Sequence, residues 1–346
     1  METNQELYPK ISILIPTYNR VHYLIEAIET SLNQDYPNFE VIVSDNASID
    51  DTPNRVKKYL GDSRFRYYRN EKNLGSSRNY EKLLYKYATG KFGHYLTDDD
   101  YFVDPQHLNK AMQIIKKYNV RTVFSGALSR YGDERGGRSL SLCLDEIVPR
   151  EWWLKNLCRT KGGLTYFPSC GSGILFEISK AKELGGFREG QTYGDYEFAV
   201  KCILSDPQTG YIMEPSYVER RHEGQDGRTS YRNAFEGTMI FNHIYDFGCQ
   251  VKIHPQIMEK IRFRGFRFFT KGFLLPNWIL ENGNSFRSMM AFLKELRKFD
   301  PRLPYAVFLD VNTMTQFLFY NTAAYRVLKK IYLKYRAWNY DRNIHQ

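Results

Sequence analysis

ISILIPTYNR, residues 11–20, decides the fold class of this 346-residue chain. Residues Ile11–Ile15 form a short run rich in β-branched side chains, and Pro16 ends it, as is typical of a buried strand. Apolar residues then recur at helical spacing over Val21–Leu32, and FEVIVSD (39–45) has the composition of a second strand. This order of strand, helix and strand predicts a βαβ unit with parallel strands and a right-handed crossover.

The same alternation continues along the chain. Further segments with the pattern of strands are RFRYYRN (64–70), GHYLT (93–97), RTVFSG (121–126) and GSGILFE (171–177). We therefore predict an α/β fold with a Rossmann-like, mainly parallel sheet flanked by helices. Ligands of such sheets bind at the carboxyl ends of the strands, where PTYNR, SDNASIDD and TDDDYF lie, so we expect these three polar stretches to meet in one cleft.

Composition and charge divide the chain into two regions. Hydrophobic residues make up 42% of the chain and charged residues 25%, which is enough to build a packed core. The net charge of +10 is concentrated in residues 251–346, which contain 17 Lys and Arg against 6 Asp and Glu. After residue 230 the pattern is helical, without a clear strand. We therefore expect an α/β domain over residues 8–230 and a basic helical region over residues 231–346.

Basic and aromatic side chains alternate in the helical region, as in KIRFRGFRFFTKGFLLPNWIL (260–280). This composition suits a peripheral contact with an anionic membrane surface, or with an anionic acceptor polymer. It is equally typical of a solvated helical appendage or of a homo-oligomer interface. Nucleic acid is the least favoured of these partners.

Several common classes of protein are excluded. The first strand is followed by PTYNRVHYL instead of the GxGxxG pattern of dinucleotide-binding proteins, and no GxxxxGK[ST] motif occurs. The five cysteines have no CxxC spacing, which argues against a zinc knuckle or a disulfide framework. No apolar leader and no run of roughly 20 apolar residues is present. We therefore expect a cytoplasmic protein, either free or peripherally bound at the inner face of the membrane.

Three consecutive carboxylates in YLTDDDYF (95–102) are the strongest indication of a ligand site. Asp98 and Asp100 are two residues apart, so both side chains point to the same side of an extended segment. Such oxygen ligands suit Mg²⁺ or Mn²⁺, which usually share their sites with waters and substrate phosphates. Asp45, at the end of the second strand, could accept hydrogen bonds from a base or a ribose. The alternatives are an acidic solvated turn at 98–100 and a local capping role near Asp45.

Five segments occur together in the order and spacing of glycosyltransferase family 2, which has the GT-A fold. They are ISILIPTYNR, VIVSDNASIDDT, NEKNLGSSRNYEKLL, GHYLTDDDYF and GDYEFAVK. The resemblance covers roughly residues 10–225. It implies an inverting enzyme that uses Mg²⁺ or Mn²⁺ to transfer a sugar from a nucleotide-diphosphate sugar, here expected to be a UDP-sugar. The implied acceptor is a hydroxyl of a glycan, a lipid-linked molecule or a wall polymer. The alternative is a GT-A module that binds a nucleotide sugar without turnover.

The resemblance also implies roles for individual residues. Asp98 would lie near the ribose, Asp99 would occupy a variable middle position, and Asp100 would bind the metal directly, with His222 completing the metal or diphosphate site. Asp45 would read the uracil edge, and Asn46 stands where the family often has a second Asp. The residues implied to bind the nucleotide and diphosphate are Pro16, Thr17, Tyr18, Arg20, Asp45, Asn73, Gly75, Arg78, Asp98 and Asp99.

Asp195, in TYGDYEFAVK, is implied to be the catalytic base. The family typically has a Glu–Asp pair here, but Gly194 precedes Asp195, so the acidic partner is missing and Glu197 is the fallback. The base takes the proton of the acceptor hydroxyl while the anomeric carbon is attacked from the face opposite the diphosphate. The alternative role of Asp195 is to cap the helix that follows.

The residues around His222 and Ser172 complete the expected site. Arg220 and Arg221, followed by a Gly-rich loop over 224–227, predict a mobile segment that covers the phosphates. Ser172 is implied by the resemblance to lie near the donor sugar or the acceptor.

Overall fold

The computed structural model describes residues 7–131, 138–142, 144–161, 164–165, 171–187, 193–222, 231–283 and 285–309. These residues form two compact units. The first consists of the described residues of 1–155 and 168–222, and the second of those of 156–167 and 223–346. The domain boundary expected between residues 230 and 231 stays a prediction.

The strands alternate with helices through the first unit, as the sequence pattern predicts. The described strands are β1 (Ile11–Thr17), β2 (Phe39–Asp45), β3 (Phe65–Arg69), β4 (Phe92–Tyr95), β5 (Tyr101–Phe102), β6 (Thr122–Tyr131), β7 (Arg138–Ser139), β8 (Ile147–Pro149), β9 (Thr160–Lys161), β10 (Leu164–Thr165), β11 (Ile174–Glu177) and β12 (Gln208–Arg221). Of these, β9 and β10 belong to the second unit. The described helices up to residue 205 are α1 (Val21–Leu32), α2 (Thr52–Arg55), α3 (Ser76–Lys82), α4 (His107–Tyr118), α5 (Arg150–Asn156), α6 (Ile178–Glu183) and α7 (Gly194–Ser205).

A mixed sheet forms the centre of the first unit. Its strand order is β3-β2-β1-β4-β11-β6-β12-β5, with β7 beside β6 and β8 beside β12. β1 pairs in parallel with β2 and β4, β2 with β3, and β6 with β12, whereas β11 runs antiparallel between β4 and β6. The predicted α/β fold is therefore confirmed. Since parallel strands end at the same edge, Thr17 of β1 lies opposite Asp45 of β2, close to the chain that leaves β4.

Burial explains why these segments are strands. Every residue of β1 and of β2 is buried, as expected for parallel strands whose two faces are both covered. On α1, the inward positions are Leu24, Ala27 and Ile28, which follow the helical spacing seen in the sequence. The sheet is therefore a rigid support for the loops at its carboxyl edge.

β12 is the main element that the sequence pattern did not predict. Its 14 residues pair with β6, but the register shifts on either side of Pro215. Proline within a run argues against a strand and is tolerated at such bulges, so the pattern concealed the strand. As a result, Arg220 and Arg221 lie on a paired strand and not in the mobile segment that we expected. The Gly-rich loop over 224–227 lies outside the described residues.

In residues 231–309 every described regular element is helical, as predicted. The α-helices are α8 (Tyr231–Thr238), α9 (Ile240–Gln250), α10 (Pro255–Phe269), α11 (Leu275–Asn282), α12 (Phe286–Leu296) and α13 (Leu303–Phe308). A Cβ at Gly265 would lie 2.1 Å from the Phe241 ring, so glycine allows α10 to approach α9 closely. Across the described part of the chain, no helix is both long enough and apolar enough to cross a bilayer.

Candidate active site

Hydrogen bonds join the end of β1 to the aspartate triplet, residues 98–100. Thr17 Oγ1 donates to Asp98 Oδ2 at 2.7 Å. Arg20 Nη1 lies 3.2 Å from Asp98 Oδ1 and 3.5 Å from Asp99 Oδ2. The structure therefore brings PTYNR and TDDDYF together, although about 80 residues separate them in the sequence.

Asp99 and Asp100 are held by different partners. His222 Nε2 lies 2.9 Å from Asp99 Oδ2. Asp100 Oδ2 accepts a hydrogen bond from Ser172 Oγ at 2.5 Å, and its Oδ1 accepts one from the main-chain N–H of Arg220 at 3.0 Å. All three residues of the triplet are at most 6% exposed. The three carboxylates are therefore close together in sequence but have distinct environments.

Burial and mutual repulsion set the charge of the triplet. Burial raises the pKa of Asp98 to about 6. Burial, with the charges of Asp99 and Glu219, raises the pKa of Asp100 well above its ordinary value. Burial also acts upward on Asp99, but hydrogen bonds led by that of His222, and a nearby arginine, outweigh it and lower the pKa. Asp99 is therefore the carboxylate that readily stays ionised, and Asp98 and Asp100 are those that a bound cation would help to ionise.

Asp45 lies at the end of β2 and is fully buried. Its Oδ1 accepts a hydrogen bond from the Ser48 N–H at 2.8 Å, and its Oδ2 accepts one from the Tyr67 hydroxyl at 2.5 Å. Arg69 Nε lies 3.5 Å from the same Oδ2. Asp45 is thus in the predicted place, but both of its oxygens already have partners within the protein.

Two other candidates of the first loop differ in exposure. Pro16 is buried within β1, opposite Ser44 of β2. The Tyr18 side chain is 41% exposed, and its main-chain N–H donates to Asp98 Oδ2 at 3.4 Å. An exposed ring on an anchored backbone is suited to stacking on a base. Pro16 instead shapes the strand end that carries Thr17.

Asn46 organises the loop that carries Asn73 and Gly75. Its Oδ1 accepts hydrogen bonds from the Leu74 N–H at 2.9 Å and from Asn70 Nδ2 at 3.1 Å. Its Nδ2 donates to Asn73 Oδ1 at 2.8 Å and to the Gly75 carbonyl at 3.3 Å. Because a main-chain N–H can only donate, the orientation of this amide is fixed. Asn46 stands where the family often has an Asp, and its hydrogen bonds to this loop require both a donor and an acceptor.

Gly75 and Arg78 lie at the start of α3. Gly75 has φ +83°, a left-handed conformation that glycine adopts without strain. It immediately precedes α3, and Arg78 is exposed in the first turn of this helix. An exposed guanidinium such as that of Arg78 suits contact with an anionic ligand.

Asp195 lies in the first turn of α7, with its side chain partly exposed. A Cβ placed on Gly171 would lie 3.8 Å from Asp195 Oδ2 and 3.5 Å from Thr97 Cγ2, so both groups border the same space beside Gly171. Burial raises the pKa of Asp195 to about 6, against the effect of two main-chain N–H groups, and the charge of Glu219 adds to the rise. The arrangement provides a carboxylate of near-neutral pKa beside the segment that leads into the triplet.

Glu197, the fallback base, has a different environment. It is 2% exposed, and Lys201 Nζ lies 2.7 Å from its Oε1. An ion pair one turn apart on the same helix is a structural contact. Of the two carboxylates on α7, Asp195 is the one with access to solvent.

Sequence reasoning gave one residue of the site a different role and missed another. Arg220 is 4% exposed, and its side chain bonds to the main chain of the triplet. Glu219 affects the charge of both Asp100 and Asp195. A recognisable β12 would have placed both residues next to β5, but neighbouring residues of a strand point to opposite faces, so the pattern could have directed only one of them to the triplet.

The aspartate triplet and its neighbours form the candidate metal site. In the described part of the chain, no three or more His, Cys, Asp or Glu side chains are arranged to hold an ion by themselves. The donor set of buried carboxylates nevertheless has the chemistry that Mg²⁺ and Mn²⁺ prefer. It fits an ion that takes most of its ligands from a diphosphate and water.

Comparison with known proteins defines the class. The family model of glycosyl transferase family 2 matches residues 12–181. A protein of Rickettsia typhi, named as an uncharacterized glycosyltransferase, is 33% identical over 228 residues, which are 64% of this chain and 67% of that protein. The chain therefore belongs to glycosyl transferase family 2, and the family assigned from the five motifs is confirmed.

Among individual relatives, the poly(ribitol-phosphate) beta-N-acetylglucosaminyltransferase TarS of Staphylococcus aureus is similar over most of this chain. The two are 31% identical over 364 aligned positions, covering 96% of this chain and 57% of TarS. The crystal structure of S. aureus TarS 1–349 in complex with UDP-GlcNAc superposes with a TM-score of 0.65 at 19% identity, covering 89% of this chain and 90% of that one. This likeness shows a shared GT-A fold. The chain spans 18% to 57% of the length of the first curated relatives that it matches.

Proposed function

We propose that this chain is an inverting glycosyltransferase that moves a sugar from a UDP-sugar to an acceptor hydroxyl, with Asp195 as the general base. The observation that carries the proposal is a pair of groups that border the same space beside Gly171. One is the Asp195 carboxylate, and the other is Thr97, which leads directly into the triplet. An acceptor hydroxyl bound in this space would lie beside the base and close to the segment that leads to the donor site.

The pKa of Asp195 suits this role. Because burial raises it to about 6, most molecules carry the ionised base at pH 7, and the base is stronger than an ordinary carboxylate. In the proposed reaction the acceptor oxygen forms a bond to the anomeric carbon as the bond to the diphosphate breaks. The proton of the hydroxyl passes to Asp195, and the anomeric configuration is inverted.

Asp100 and His222 are proposed to hold a divalent cation, with Asp98 next to the ribose. Burial raises the pKa of Asp98 and of Asp100, so a bound cation would favour the ionised forms of these two carboxyls. Mg²⁺ or Mn²⁺ would neutralise charge on the leaving diphosphate. Asp99, with its lowered pKa, would keep its own hydrogen bond to His222.

The nucleotide is proposed to bind along the edge formed by the loops after β1, β2 and β3. Tyr18 offers an exposed ring, Thr17 and Arg20 orient Asp98, and the loop with Asn73 and Gly75 leads to exposed Arg78. Pro16 shapes the strand end. A uracil read by Asp45 would have to share or replace the hydrogen bonds of its carboxylate, since both oxygens already have partners.

The likeness to TarS guides the choice of substrates. UDP-GlcNAc is the first donor to test, and a polyol-phosphate polymer is the first acceptor, with glycan and lipid-linked acceptors next. We place the protein in the cytoplasm, with the basic helices of residues 231–309 contacting an anionic membrane surface or an anionic acceptor. A homo-oligomer contact is the competing use of the same helices.

The proposal is tested by screening UDP-sugars with the purified chain. A binding donor should raise the melting temperature in the presence of Mn²⁺ and less so with a chelator. UDP release should then require both Mn²⁺ and an acceptor. If no UDP-sugar raises the melting temperature with Mn²⁺ present, the proposed activity fails at its first step.

A further inference from the structure

Arg220 of β12 connects to the aspartate triplet in two ways. Its Nη1 donates to the main-chain carbonyl of Asp99 at 3.1 Å, and its own main-chain N–H donates to Asp100 Oδ1 at 3.0 Å. Its Nη2 lies 2.6 Å from Glu26 Oε2 on α1, so the guanidinium has an anionic partner. One residue thus joins β12, α1 and the triplet.

Aromatic rings restrict the guanidinium further. The rings of Tyr23 and Tyr101 lie 4.7 Å and 4.9 Å from Arg220 Cζ. Tyr101 is itself held, since its hydroxyl accepts a hydrogen bond from Arg130 Nη1 at 2.7 Å, and Tyr23 packs on His222 with 5.1 Å between ring centroids. A planar guanidinium against aromatic faces loses little further freedom when it donates hydrogen bonds.

We infer that Arg220 is a positioning residue that fixes the aspartate triplet relative to β12. Arg220 is 4% exposed, and its guanidinium is bonded to Glu26 and to Asp99 within the protein. It acts on the main chain between Asp98 and Asp100, so a shift of this peptide moves both carboxylates. The inference rests on the proposed function in one respect, namely that the triplet binds a cation and a nucleotide.

A lysine at position 220 tests this role. The Arg220→Lys variant keeps the positive charge but cannot present two donors in one plane or lie flat against the tyrosines. Its matched control is Arg121→Lys. Arg121 also pairs with a buried carboxylate, Asp206, but it precedes β6 at the opposite end of the sheet. Both variants remove an arginine contact with a carboxylate, but only Arg220→Lys does so next to the triplet.

Two quantities are measured for the parent and for both variants: the melting temperature, and the Kd for UDP as Mn²⁺ is titrated. Both variants should unfold at a lower temperature. Arg220→Lys should weaken Mn²⁺-dependent UDP binding about tenfold, as expected for loss of one charge-assisted hydrogen bond, whereas Arg121→Lys should stay within about twofold of the parent. A purely structural role would change the melting temperature and leave the Mn²⁺ titration as in the control.

Each outcome decides one question. If the parent binds UDP with Mn²⁺, and the Kd for UDP of both variants depends on Mn²⁺ as it does in the parent, Arg220 is not a positioning residue. If the parent itself does not bind UDP with Mn²⁺, the proposed function fails instead. Should Arg220→Lys not fold, Glu26→Gln replaces it, because Glu26 is partly exposed and the substitution keeps Arg220. It should weaken the same binding about threefold, and parent-like binding would overturn the inference.

Discussion

Replacing Asp195 by asparagine should stabilise the folded chain at neutral pH while removing the proposed base. Burial raises the pKa of this carboxyl from 3.8 to about 6, so folding disfavours its ionised form. Below about pH 4 the carboxyl is protonated in both the folded and the unfolded chain, and its ionisation has no effect on stability. As pH rises from about 4 to about 6 the penalty develops, and above pH 6 it is complete. Asparagine carries no charge and removes it.

The size of this effect follows from the pKa shift. A shift of about two pH units corresponds to at most about 3 kcal/mol. The Asp195 side chain is partly exposed, and asparagine loses the charge-assisted hydrogen bonds from main-chain N–H groups, so about 1 to 2 kcal/mol should remain. For a domain of about 200 residues, this raises the melting temperature by roughly 2 to 8 °C.

Thermal unfolding followed by circular dichroism at pH 5 and pH 7.5 measures the difference between parent and variant. Asp195→Asn should gain more over the parent at pH 7.5 than at pH 5. Asp104→Asn is the matched control with the opposite sign. Burial acts upward on the pKa of Asp104, but hydrogen bonds from Lys110 and the Gln106 N–H lower it, so this variant should lose stability at pH 7.5. If the stability of Asp195→Asn relative to the parent falls as the pH rises, the folded environment does not raise the pKa of Asp195.

Three further predictions concern the same site. Asp100→Ala should abolish Mn²⁺-dependent UDP binding, measured by calorimetry, whereas Asp99→Asn should be much milder, and equal losses would mean that the roles within the triplet are misassigned. Ser172→Ala should reduce the free energy of unfolding by about 2 to 3 kcal/mol in urea titrations, because it leaves a buried oxygen of Asp100 and a main-chain N–H without their partner. Asn46→Asp should weaken UDP binding about tenfold, since a carboxylate cannot donate to the two acceptors of the Asn46 amide; unchanged binding would show that the loop does not depend on it.

The sequence pattern predicted the part of the fold that depends on local periodicity. FEVIVSD forms β2 over its full length, and the residues with helical spacing after Pro16 form α1. Both elements are buried on one or both faces, so their patterns are strong. The meeting of the loops after β1 and β4 followed from one topological rule about parallel strands.

The partners within the site could not be predicted in the same way. Ser172 reaches Asp100 only because β11 enters antiparallel beside β4, and no local pattern encodes that pairing. Arg220 reaches the triplet from a strand that the bulges around Pro215 concealed. Asp45 was placed correctly at its strand end, but its bonds to Ser48 and Tyr67 depend on local loop geometry and on the neighbouring strand.

In the proposed mechanism, Asp195 accepts the proton of the acceptor hydroxyl in an inverting transfer. The most direct test follows a single turnover from a labelled UDP-sugar to an acceptor, and the product's anomeric configuration is read by NMR. The parent should give a product of opposite configuration to the donor, and Asp195→Asn should be at least about 100-fold slower with its Kd for UDP within about twofold of the parent. Retention of configuration, or equal rates for parent and variant, would rule out this mechanism.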